Sequence, residues 1–340
     1  MDRWRDASNG AAATKKRKIL AIDGGGVKGA FPAAFLAKVE ESTGKRIAEH
    51  FDLIAGTSTG GIIALALGLG LPAKEVLRFY EEFGPRIFAQ GPGARGLWGH
   101  IVASLARGHQ RVRRLVGPAY DPAELRASLT GVFGDKRLGD SKVRLLIPAY
   151  SAGTRSVYVF KTAHHPRFEL DHKQKAVDVA LATAAAPTYF PAHSLADGAL
   201  LVDGGVWANN PVGMAAIEAI SVLGWPQECI RILSLGCTDS LYTCPPSGGI
   251  LDFALALSTL FHQGQSVASL GMAKLLCGHT ESQPRLFRHN IDVAEGRFQL
   301  DSAGSIAELS GYGSTTARMA LPTIRDVFLD EIVEPFVSYH

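Results

Sequence analysis

An α/β fold with a mostly parallel central sheet flanked by helices is what this sequence predicts, and three observations carry the prediction. From residue 17 onward, short apolar runs alternate with helix-length stretches, the pattern of strands joined by crossover helices and buried on both faces. Two of the runs end in glycine-rich turns, Asp23-Gly24-Gly25-Gly26-Val27-Lys28-Gly29 and Gly56-Thr57-Ser58-Thr59-Gly60, each followed by an apolar, helix-like stretch. With 340 residues, 46% of them hydrophobic, the chain has ample material for one large domain or two small ones.

Taken in order, residues 1–16 are small, polar and charged, and are expected to form a disordered tail outside the fold. Strands are expected at 18–23, 51–55, 143–149, 157–161 and 230–235, where aliphatic, β-branched and aromatic residues predominate. Helices are expected at 30–41, 60–69, 73–83 and 176–185. Residues 250–276 read as helical in pieces, and a last helix is expected over 315–333. No internal repeat is evident, and no stretch is rich enough in Gly, Pro or Ser to divide the core.

Bulk properties bound the partners. The formal net charge is +3, so no global field demands DNA or RNA. Cysteines at 229, 237, 244 and 277 match no zinc or redox spacing and are read as reduced thiols of a cytoplasmic protein. The first residues carry no apolar signal segment. The longest run of apolar residues and glycine, 60–71, falls far short of the roughly 20 residues a spanning helix needs, so membrane contact is expected to be peripheral.

The first glycine turn admits three uses. Gly24, Gly26 and Gly29 fit GxGxxG between a strand and a helix, as in a dinucleotide site, but the acidic residue expected about 20 positions further on is missing. The same amides at a helix start can hold an oxyanion, and a plain strand-to-helix turn remains open. The second turn is a nucleophile elbow, which lifts Ser58 off the sheet edge between Gly56 and Gly60. Serine needs a base. None of the 11 histidines stands in a triad context; His164, His165 and His193 read as packed or solvated. Asp203, followed by Gly204 and Gly205 after the run Leu200-Leu201-Val202, is the better candidate, although Asp-Gly is also an ordinary turn pair.

An oxyanion-type loop, a GxSxG elbow and Asp-Gly-Gly in this order resemble the patatin-like phospholipase family. A fourth block, Ala182-Thr183-Ala184-Ala185-Ala186-Pro187-Thr188-Tyr189-Phe190, is similar to the family's segment before the aspartate. The resemblance covers roughly residues 17–212. It implies a three-layer patatin-like sandwich over 17–340, with the motifs in 17–212 and a helical part at 250–340. It also implies a Ser-Asp dyad in which Ser58 attacks an ester and Asp203 is the base. Gly24, Gly25 and Gly26 would hold the oxyanion, with Gly29, Gly56, Gly60, Gly204 and Gly205 supporting the turns. No metal or cofactor is implied for the chemistry. The substrate class implied is phospholipid at a membrane surface, cleaved through an acyl-serine, and burial is expected to raise the basicity of Asp203.

Within the family, residues 18–88 are most similar to antiphage (CBASS) phospholipases of bacteria that a cyclic dinucleotide of the cGAMP type switches on. That similarity implies an antiviral effector, cytoplasmic and peripheral to the inner membrane when active, with a homo-oligomer left open. Between Glu82 and Asp121 there is no acidic residue, and Arg86, Arg95, Arg107, Arg111, Arg113 and Arg114 fall there among Trp98, His100 and His109. Such a stretch suits a cyclic-dinucleotide pocket, an anionic lipid surface or a merely solvated face. Phe31, Phe35, Leu97, Trp98, Ile101 and Val102 fit core positions better than an acyl-chain mouth. The competing functions are an unregulated lysophospholipase or general acyl esterase, a nucleotide-binding oxidoreductase built on the GxGxxG loop, and a non-catalytic binding module on a hydrolase fold.

Overall fold

The computed structural model describes residues 15–87, 120–240, 250–294, 297–298 and 300–340. Its strands are β1 (Arg17–Ile22), β2 (Leu53–Gly56), β3 (Arg144–Ser151), β4 (Ser156–Lys161), β5 (His193–Ser194), β6 (Leu200–Asp203), β7 (Ile230–Leu235), β8 (Asp239–Ser240), β9 (Leu286–His289) and β10 (Asp292–Val293). Its helices are α1 (Ala30–Thr43), α2 (Thr59–Gly68), α3 (Ala73–Ile87), α4 (Pro122–Phe133), α5 (Ala176–Thr183), the single turn α6 (Gly205–Ala208), α7 (Val212–Ser221), α8 (Ile250–Leu276) and α9 (Ile306–Val327).

One eight-stranded sheet runs β5-β6-β3-β2-β1-β7-β9, with β4 also paired to β3. The five strands β3-β2-β1-β7-β9 are parallel; β4, β5 and β6 join antiparallel. Successive residues of a strand face opposite sides, and the core divides accordingly. Leu20, Ile22 and Ile54 pack with α1, α2 and α9 in one layer, while Ile19, Ala21 and Leu53 pack with α7 and α8 in the other. Helix α2 is buried along its whole length, as an apolar run without a polar stripe requires.

The edge of β3 decides where the site lies. Leu146 pairs with Ala55 of β2 and Lys161 of β4, whereas Ala149 pairs with Tyr158 of β4 and Asp203 of β6. Since β4 covers one side throughout, β2 and β6 share the other side, one on each half. β2 runs parallel to β3 and β6 antiparallel, so their carboxyl ends point at each other across Ile147 and Pro148. The chain must leave the sheet from both ends at that gap, and it does so through the Ser58 elbow and the Asp203 turn.

Several expectations shift. Residues 250–276 form one helix of 27 residues. The last helix starts at Ile306, nine residues before the expected 315, and stops at Val327. Its glycines look like a loop in sequence, yet Gly313 lies against the Phe31 carbonyl, so two helices touch backbone to backbone where a side chain would obstruct. Beyond Val327 the chain turns to the amino-terminal end of the sheet, where Asp330 takes Lys16 at 2.6 Å and Lys18 at 2.5 Å, and Lys15 meets Glu334 at 3.2 Å. The remainder of the stretch 1–16 lies outside the described residues. Helix α4 was not expected, although Asp121 caps it with Pro122 at its first position. Phe31 and Phe35 are core residues; Leu97, Trp98, Ile101 and Val102 lie outside the described residues. No helix among the described residues is long and apolar enough to cross a membrane.

Candidate active site

Ser58 stands at the turn from β2 to α2 with φ 54° and ψ −119°, a left-handed strain that L-residues hold at a cost of about 1–3 kcal/mol. Its neighbours over-determine that shape. The Ser58 amide donates to Thr183 Oγ1 at 2.9 Å, and the Thr183 hydroxyl donates to the Pro148 carbonyl at 2.7 Å, which ties the elbow to the gap in the β3 edge. The Thr57 hydroxyl donates to Ala208 O at 2.6 Å. A side chain at Gly60 would collide with the Ile22 carbonyl, because α2 leaves the sheet almost in contact with β1.

The Ser58 hydroxyl donates to Asp203 Oδ2 at 2.7 Å. The Gly205 amide donates to Oδ1 at 2.7 Å. Asp203 is 5% exposed, and its two donors are neutral. Burial pushes its carboxyl up to about 6, against the pull of the two hydrogen bonds. A carboxylate of that basicity in direct contact with a hydroxyl can take its proton near neutral pH. His164 is engaged with Glu218 at 3.0 Å and His193 with Asp178 at 3.2 Å, so neither is the partner of Ser58.

The glycine turn faces this pair. A methyl on Gly24 would come within 3.3 Å of Ser58 Cβ and 2.5 Å of Asn209 Oδ1. The Gly24 amide is already given to the Asn209 carbonyl at 2.9 Å, which corrects the expectation of three oxyanion donors. Gly25 and Gly26 donate their amides to no described residue, so these two are left as candidate oxyanion donors. On the side a Cβ would occupy, Gly24 lies against Asn209, Gly25 against Cys237 and Gly26 against Leu300, so these positions admit no side chain.

Under the turn, Arg288 of β9 grips Asp23 with both nitrogens, at 3.0 and 2.6 Å, and reaches Ser234 Oγ at 2.9 Å. Burial works against the charge on Arg288, but the Asp23 carboxylate holds the guanidinium firmly protonated. Thr183, Asn209 and Arg288 are the residues sequence reasoning missed; Thr183 stood in a quoted block without a role, and Asn209 and Arg288 carry no local signal. Gly29 backs the turn, where a side chain would collide with the Thr59 hydroxyl, and Gly204 lies against the Pro148 carbonyl. Of the arginines, Arg86 stacks over Phe83 at 5.6 Å; Arg95, Arg107, Arg111, Arg113 and Arg114 lie outside the described residues.

The sequence profile of patatin-like phospholipases matches residues 20–216, from β1 into α7 and across both turns and Asp203. Three proteins named cGAMP-activated phospholipase are similar to this chain. One from Pseudomonas aeruginosa (strain BWHPSA011 / Pa011) is 42% identical over 224 residues, 64% of this chain and 61% of that protein. One from Vibrio cholerae serotype O1 is 34% identical over 244 residues, 68% of this chain and 66% of that protein. One from Escherichia coli (strain TW11681) is 32% identical over 254 residues, 71% of this chain and 67% of that protein. The chain thus spans 61% and 66% of the length of the first two relatives.

Proposed function

The chain belongs to the patatin-like phospholipase family, and from that premise we propose that it is a serine acyl hydrolase of membrane phospholipids, controlled by a cyclic dinucleotide. The observation that carries the chemistry is the 2.7 Å contact from the Ser58 hydroxyl to a buried Asp203 whose carboxyl is raised to about 6. Ser58 Oγ attacks the ester carbonyl as its proton passes to Asp203 Oδ2. The amides of Gly25 and Gly26 receive the negative oxygen of the tetrahedral intermediate. Collapse breaks the ester C–O bond, and the proton on Asp203 goes to the departing alcohol oxygen of the lysophospholipid. Water, deprotonated by the same carboxylate, then releases the fatty acid from Ser58.

Nucleotide control is supported by the three relatives named cGAMP-activated phospholipase. The test is fatty-acid release from phospholipid vesicles, with and without cGAMP, for the wild type and Ser58→Ala. The expected result is nucleotide-stimulated release that Ser58→Ala lowers by at least about 10³-fold. Retained release in Ser58→Ala ends the assignment of the nucleophile. A flat response to cGAMP in an active wild type favours the unregulated esterase instead.

A further inference from the structure

The stretch between β10 and α9 is joined to three parts of the molecule. The Leu300 carbonyl accepts the Val27 amide at 2.9 Å and fills the space beside Gly26. Asp301 accepts the Tyr120 hydroxyl at 2.7 Å. Ile306 lies so close to Gly84 of α3 that a methyl there would come within 2.7 Å of its Cδ1. Gly84 and Tyr120 flank the arginine-bearing part of the sequence, so both of its approaches converge on the stretch that presses on the glycine turn.

Beside that stretch is a cavity of about 400 Å³ lined by Ile291, Asp292, Val293, Ala294, Arg297 and Tyr312, a size suited to a small ligand. Its two walls lead to the glycine turn by separate routes. Arg297 is three residues from Leu300. Asp292 pairs with Asp239 in the β10–β8 ladder, and Cys237, two residues before Asp239, fills the space beside Gly25.

The lining combines three kinds of recognition. Arg297 lies over Phe298 at 5.6 Å and is paired with Glu308, with side-chain exposures of 48% and 43%. An exposed pair of this kind is weak and screened, so a phosphate can take the guanidinium fork bidentately. Tyr312 is 37% exposed and meets Phe298 edge to face, which steadies a ring on which a base can stack. The exposed Asp292 carboxylate is an acceptor for the paired N–H groups of a guanine edge.

The geometry points to this cavity as the activator site: a cyclic purine dinucleotide binds Arg297, Tyr312 and Asp292 and sets the oxyanion turn through Leu300 and Cys237. The inference rests on the nucleotide control proposed above. The ligand acts by favouring one arrangement of residues 300–306, and so of the turn at Gly26 and Val27 against which Leu300 lies.

The test is calorimetric titration of the full chain with cGAMP, beside nucleotide-stimulated release from vesicles. Arg297→Ala and Tyr312→Ala should each weaken cGAMP binding by about tenfold or more. Glu308→Gln, which frees Arg297 from its carboxylate, should tighten it, an opposite sign that a folding defect would not produce. Binding and stimulation at wild-type strength in all three variants would overturn the site and leave nucleotide control standing. A wild type that binds no cGAMP would overturn both. Equal binding of glycerol 3-phosphate would show a general phosphate site and overturn the nucleotide assignment.

Discussion

Asp23-Gly24-Gly25 and Asp203-Gly204-Gly205 put the same three residues at the ends of two strands of one sheet, and the two carboxylates are held in opposite ways. Asp23 meets a guanidinium on both oxygens. Asp203 meets a hydroxyl and an amide, both neutral. Burial raises both carboxyls; at Asp23 the Arg288 guanidinium opposes that rise, and the ion pair holds the backbone around it. At Asp203 only two neutral hydrogen bonds oppose it, and the carboxyl reaches about 6. The first arrangement suits a scaffold for the glycine turn, and the second suits proton transfer.

The largest expected effect separates the two aspartates by activity. Asp203→Asn should lower ester turnover by about 10²–10⁴-fold, the usual contribution of a general base, with the fold intact by circular dichroism. In the wild type, kcat/KM should rise with pH through a midpoint near 6, because the base works deprotonated. A flat profile from pH 5 to 8 would mean that Asp203 is not the group being titrated.

Next in size is the loss of the scaffold pair. Arg288→Met leaves Asp23 buried without its cation and should cost about 3–5 kcal/mol in urea unfolding. Activity should fall as well, since the Asp23 turn carries Gly25 and Gly26. If Arg288→Met unfolds at the wild-type midpoint, the distinction between the two turns loses its structural half.

A smaller effect has the opposite sign. Raising Asp203 from 3.8 to about 6 corresponds to about 3 kcal/mol of destabilisation once the group is ionised. The folded state binds the proton more tightly than the unfolded chain does, so this contribution is absent below about pH 3.8, grows as pH rises and is complete above about 6. Asp203→Asn should therefore be more stable than the wild type at pH 8, by up to that amount, and no more stable at pH 3.5. Asp23→Asn leaves the partly buried Arg288 guanidinium without its carboxylate and should be less stable than the wild type at pH 8. Equal signs for the two substitutions would erase the contrast.

Much of this was legible along the chain. The strands at 18–23, 51–55 and 230–235 appear within a residue or two, because buried parallel strands are continuous apolar runs. Ser58 and Asp203 stood out because each sits at a glycine-flanked break in such a run. Nothing in either Asp-Gly-Gly told the two apart. What distinguishes them is Arg288, 265 residues from Asp23, and the encounter of β2 with β6 on one edge of β3. The early start of α9 was hidden for a similar reason: Gly313 looks like a helix breaker until the backbone of α1 is seen against it.

The smallest effect tests how the encounter of the two turns is held. Thr183 is fully buried; its oxygen accepts the Ser58 amide while its proton goes to Pro148 O, in the gap left between β2 and β6. Thr183→Val keeps the shape and removes both bonds, leaving a buried amide and a buried carbonyl without partners, which should cost about 1–3 kcal/mol. Turnover should fall by about tenfold, and Thr183→Ser should restore it because the oxygen returns. A valine variant that loses stability but keeps full turnover would show that the strained elbow is fixed by Gly56 and Gly60 alone. Loss of turnover beyond the loss of stability would show that the edge of β3, acting through this one hydroxyl, sets the distance between serine and aspartate.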